Sequence, residues 1–140
     1  MKQALRRNGF REIGGILMGH EISYGNFIIV DFSLDEFSGE RAHFVRNADH
    51  HRHALKKFFE RTGHNYSAFN YLGEWHSHPG FPVRASNVDL LSMRDLVEGE
   101  RDIEFAVLLI VKLGSLGRLI ASAGLHRRGQ RPVPIELTTD

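Results

Sequence analysis

The chain has 140 residues, 41% hydrophobic and 25% charged, which suits one soluble domain over residues 1–140 with a real hydrophobic core. Its net charge of +1 supplies no global field for nucleic acid or an anionic membrane, and no apolar run reaches the length of a membrane span. There is no Cys, which excludes disulfides, thiol nucleophiles and thiolate zinc sites.

Met1 to Phe10 is basic and polar without an apolar signal core, so a cytoplasmic location is expected. Met1 to Arg11 reads as a short helix or an irregular arm. Glu12 follows, just before a Gly-interrupted apolar strand from Ile13 to Met18. Gly inside a strand often marks close approach by another backbone or a ligand. Gly25 signals a turn, and the β-branched and aromatic run Phe27 to Phe32 predicts the next strand, Ser23 to Ser33. Leu34 to Gly39 is a polar connection, and Glu40 to Arg46 alternates as a third strand. Asp49 is placed to cap a helix from His50 to Thr62, ended by Gly63. Its apolar stripe is Ala54, Leu55, Phe58 and Phe59, with Arg52, Lys56, Lys57 and Arg61 opposite. That basic face reads as solvated, since nothing else in the chain extends it toward a nucleic-acid patch. His50, His51 and His53 also read as solvent-exposed, because adjacent helical positions do not converge and no nearby acid completes a metal set.

His64 to Phe69 is a loop, and Tyr71 to Ser77 is a strand running into His78-Pro79. Ser86 to Val97 is the second helix, with Val88, Leu91 and Leu90 assigned to the core and Gly99 as its stop. Ile103 to Val111 is almost continuously apolar, as expected of a central strand covered on both faces. Gly114-Ser115 and Gly117 form a turn, and Arg118 to His126 is the returning strand of a hairpin. Arg127 to Arg131 is a basic connection. Val133 to Leu137 is an edge strand, with Pro132 and Pro134 as edge devices.

The chemistry concentrates in Glu74-Trp75-His76-Ser77-His78-Pro79 and in Ser86-Asn87-Val88-Asp89. Alternate residues of a strand share a face, so His76 and His78 present two imidazoles side by side. Pro79, Gly80 and Pro82 then force a turn. If the turn folds back, the Asp89 carboxylate on the first turn of the helix meets both imidazoles. Two His and one carboxylate leave a fourth tetrahedral position for water, as in catalytic zinc sites. Ser-x-x-Asp is equally a helix capping box, and both readings hold together if Ser86 caps while Asp89 binds metal. A carboxylate such as Glu12, beside that water, would accept its proton.

These residues carry a resemblance. Glu12 with Gly14-Gly15 and Gly19, then His76-Ser77-His78-Pro79, Ser86 and Asp89, resembles at every position the motif of the JAB/MPN (JAMM-motif) zinc metalloprotease family, compact prokaryotic type. The resemblance implies one Zn²⁺ held by His76, His78 and Asp89, Glu12 as general acid/base, and Ser86 helping to stabilise the oxyanion. It implies an isopeptidase or peptidase acting at the C-terminus of a ubiquitin-like or sulfur-carrier-like protein. The element order argues for an α/β layer structure. The resemblance sharpens this to the MPN fold, a curved, mostly antiparallel mixed sheet flanked by helices and related to the deaminase architecture. Barrel amidohydrolases also use His-x-His, but 140 residues cannot build that barrel. Zinc nucleobase deaminases need a Pro-Cys-x-x-Cys element, which a Cys-free chain lacks. The remaining rival is a non-catalytic MPN scaffold that binds partner proteins.

Overall fold

A computed structural model describes residues 1–35, 39–40, 43–44, 48–99 and 103–139, the side chains of 39–40, 43–44 and 48–50 excepted. Helix α1 spans Lys2–Asn8, which decides between the helix and the arm. Strands β1 (Gly14–Ser23) and β2 (Asn26–Phe32) form a hairpin whose turn uses Gly25 at φ +76°. The strand expected over Glu40 to Arg46 is instead a two-stranded ribbon, β3 (Gly39–Glu40) and β4 (His43–Phe44); residues 41–42 and 45–46 lie outside the described residues. Helix α2 covers Ala48–Arg61, so Asp49 lies inside the helix and not at its cap. Strand β5 is Phe69–Ser77, α3 is Asn87–Gly99, and β6, β7 and β8 are Phe105–Leu113, Leu119–Arg127 and Val133–Ile135.

Six strands make one sheet in the order β2-β1-β5-β6-β7-β8. β5 pairs antiparallel with β1 and parallel with β6, and the other pairings are antiparallel. The parallel pair requires a crossover, and α3 supplies it. This is the mixed α/β sheet that the element order predicts, curled as the resemblance implies.

The alternation of β6 divides the core. Val107, Leu109 and Val111 face α1, where they pack with Ala4, Leu5, Leu17, Leu72 and Trp75. Ala106, Leu108 and Ile110 face α3 and pack with Met93, Leu96 and Val97. Next to them, Phe58 of α2 packs on Ile16 and Met18, flanked by Leu55 and Phe59 as the apolar stripe requires. Fully burying a side chain of this size is worth ~1.5–3 kcal/mol, so the central strands hold most of the fold. No helix among the described residues is long and apolar enough to cross a membrane.

Two expectations about side chains fail. Val88, Leu90 and Leu91 are 46%, 37% and 49% exposed, because α3 touches the sheet through its second half. His51 is buried, with its Nδ1 2.9 Å from Ser33 Oγ, because the start of α2 lies against the end of β2. His53 is exposed as expected, and the side chain of His50 lies outside the described residues.

Ser33 joins three elements. Its Oγ accepts from Ile16 N at 2.9 Å, its N donates to Ile16 O at 3.0 Å, and its O accepts from Trp75 Nε1 at 2.9 Å. Only glycine leaves room for this approach: a Cβ on Gly15 would stand 2.1 Å from Ser33 O. Gly15→Ala should therefore cost at least the ~1–3 kcal/mol typical of overpacking, because the obstacle is backbone. Gly99→Ala, where a Cβ meets nothing within 4 Å, should be neutral or stabilise slightly. Chemical denaturation of both variants checks this, and parental stability of Gly15→Ala would refute the close-approach account.

Candidate metal centre

The histidines come from the C-terminal end of β5 and the carboxylate from the first turn of α3. His76 sits opposite Gly14 of β1 and beside Ile110 of β6. The ladder continues one residue further, because His78 N donates to Val111 O at 2.9 Å. The two imidazoles therefore share the α3 face of the sheet, with ring centroids 4.9 Å apart. Both residues are buried.

The carboxylate arrives by helix capping. Ser86 Oγ accepts from Asp89 N at 3.1 Å, and Ser86 N donates to Asp89 Oδ2 at 2.7 Å. This reciprocal pair starts α3 and orients the Asp89 side chain at the same time. His76 Nε2 then lies 3.3 Å from Asp89 Oδ1, His78 Nε2 lies 3.7 Å from Oδ2, and the two Nε2 atoms are 3.0 Å apart. Donors around a tetrahedral ion at ~2.0–2.1 Å stand roughly 3.3 Å from one another. The observed separations bracket that value, so His76, His78 and Asp89 fit a metal ion, and their donor atoms all lie within 4.8 Å of one another.

The orientation of His78 and the charge of Asp89 suit this. His78 Nδ1 lies 2.9 Å from Pro82 O. A carbonyl only accepts, so Nδ1 carries a proton and Nε2 is the nitrogen that faces the centre. Burial alone would push the Asp89 carboxyl up. The His76 hydrogen bond and charge, with the two Ser86 contacts, outweigh it and hold the group at about 2. Asp89 is thus an anion at neutral pH.

Glu12 is brought in by a pair of bonds between Ile13 and Ser77. Ser77 N donates to Ile13 O at 2.8 Å, and Ile13 N donates to Ser77 Oγ at 3.0 Å. Continuing the register of Gly14 with His76 sets Glu12 across from His78. Its carboxyl is half-buried, and that burial raises its pKa. His76 and His78 pull the other way and Asp89 adds to the rise, so Glu12 lies within electrostatic reach of all three. Sequence reasoning assigned no role to Ser77. The signal was a small hydroxyl between two inward-facing histidines in a strand with both faces covered.

The model of prokaryotic homologs of the JAB domain matches residues 1–122. A search of curated proteins gives no significant match. The solution structure of a protein from Desulfitobacterium hafniense is similar in fold, with a TM-score of 0.64 and 20% identity over 97% of this chain and 83% of that one. Glu12, His76, His78, Ser86 and Asp89 all fall within the matched segment, and the chain belongs to the family of prokaryotic homologs of the JAB domain.

Proposed function

We propose that the protein is a zinc-dependent metallopeptidase that hydrolyses a peptide or isopeptide bond at the C-terminus of a ubiquitin-like or sulfur-carrier-like protein. The observation that carries this reading is the convergence of two imidazole nitrogens and one carboxylate at tetrahedral spacing, with a second carboxyl beside them. Two His and one carboxylate are the ligand set of open, catalytic zinc sites. Bound by His76, His78 and Asp89, zinc would supply Lewis-acid polarisation of a carbonyl and make water acidic enough to ionise near neutral pH.

The residues of the chain do the rest. Glu12 takes a proton from the attacking water and returns it to the leaving amine. A carboxyl with a raised pKa is suited to carrying that proton in both directions. Ser86 Oγ spends a lone pair on Asp89 N–H and keeps its own O–H to donate to a developing oxyanion. Phe81 is 57% exposed with its ring 6.2 Å from that of His78. An exposed aromatic ring beside a ligand supports a protein substrate with an extended tail.

Metal analysis of the purified chain should find about one zinc per chain, lost in His76→Ala and His78→Ala. Full retention in both variants would sink the assignment.

Glu12→Gln should bind zinc like the parent and stay folded, while turnover of a cleavable conjugate drops by ~10²–10⁴ or more. Ser86→Ala should lose ~10²–10³ in turnover and roughly 1 kcal/mol of stability, because the cap goes with the hydroxyl. Turnover, zinc content and melting temperature of each variant test these roles. Parental cleavage by Glu12→Gln would remove its proton-transfer role, and loss of zinc would make it a ligand. A zinc-loaded parent that binds a ubiquitin-like conjugate without cleaving it would replace the enzyme by a scaffold.

A further inference from the structure

The segment from Pro79 to Ala85 sets the distance between His78 and Asp89. It is irregular, yet three successive carbonyls are each taken by a side chain. Lys112 Nζ donates to Phe81 O at 3.1 Å, His78 Nδ1 donates to Pro82 O at 2.9 Å, and Ser122 Oγ donates to Val83 O. Surface loops ordinarily give such carbonyls to water. Here one donor is a ligand of the candidate metal centre, and the other two come from β6 and β7.

The sheet register explains how these strands reach the loop. Ser122 pairs with Ile110, and Ile110 pairs with His76. Ser122 and His76 therefore lie in one row on the α3 face of the sheet, with Ile110 between them. Val83 and Ala85 pack on the cluster of Met93, Leu96 and Ile110, which seats the far end of the segment. The loop thus leaves His78, crosses Ile110, is fastened to β7, and returns to the start of α3.

We infer that Ser122 and Lys112 are positioning residues for the metal, which rests on the metallopeptidase reading of the site. They fix the Pro82 carbonyl that orients the His78 imidazole, and they hold the entry to α3 where Asp89 completes the donor set. Neither touches the ion. A partner bonded directly to a ligand, as Pro82 O is to His78, typically changes metal affinity by ~10–100-fold when removed, and residues that hold that partner act through it more weakly.

The test uses the full chain loaded with Zn²⁺ or Co²⁺. Zinc affinity is read by competition with a chromophoric chelator, and ligand geometry by the visible absorption of Co²⁺. Ser122→Ala should weaken zinc binding by up to ~10-fold and shift the Co²⁺ bands. Ser122→Thr, which keeps the hydroxyl, should restore both. Lys112→Met, which keeps the stem and removes the donor, should weaken binding in the same direction. A purely structural role would change the stability of the metal-free protein but leave the Co²⁺ spectrum of the saturated protein unmoved. If Ser122→Ala does not fold, Lys112→Met decides, since its side chain reaches the loop from the surface. Parental affinity and spectrum in Ser122→Ala and Lys112→Met, with His76→Ala unable to bind zinc, would overturn the positioning role alone. No zinc bound by the parent, or full retention by His76→Ala, would overturn the reading of the site and this inference with it.

Discussion

The two bonds between Ile13 and Ser77 are the contact on which the site depends. They join positions 64 residues apart. Ile13 is 0% exposed and Ser77 1%, so water cannot replace either bond. A buried main-chain group left without a partner costs ~1–3 kcal/mol, and Ser77 satisfies both the N–H and the C=O of Ile13. The ladder of β1 with β5 thereby continues past its last regular pair. Glu12 emerges beside His78 on a fixed backbone. A proton carrier must sit within hydrogen-bond reach of its donor in the working complex, so this backbone constraint precedes any question of its pKa.

The same economy governs Asp89. One carboxylate closes the capping box and also faces two imidazoles. The cap orients it in the absence of a cation, and the free N–H groups of the first turn favour its negative charge. Ligand arrangement is therefore built into the fold. Any ion that enters needs little rearrangement of these donors, so little conformational entropy is spent on binding it.

The strands were legible because their signals are local. Ile103 to Val111 has no polar face, and β6 is indeed covered on both sides. The ligand set was legible because His76, His78 and Asp89 lie within one strand, one turn and one helix start. Long-range polar contacts were not. Ser33, His51, Ser77, Lys112 and Ser122 are ordinary residues in the sequence, and their partners lie 17 to 64 positions away. The error over Val88 and Leu91 has a physical origin too. Helical periodicity finds an apolar stripe but does not say which turns of the helix reach the sheet. The buried residues of α3 are Met93, Leu96 and Val97, from its midpoint onward. Its first half stands clear of the core, and that is the half that carries Asp89.

Topology accounts for why all these groups meet at one end of the sheet. β5 has an antiparallel neighbour on one side and a parallel one on the other. Its C-terminal end therefore lies beside the start of β1, where Glu12 is, and beside the C-terminal end of β6, where Lys112 is. Because β6 runs parallel to β5, the chain must cross back along the sheet, and a helix that does so begins where β5 ends. The N-terminus of α3, with its cap and its carboxylate, is thus delivered to the end of the strand that holds the histidines. A hairpin from β5 to β6 would have brought a turn to this place, with no helix start and no capped acid. The single parallel pair among the described strands is what converts two neighbouring histidines into a three-ligand centre.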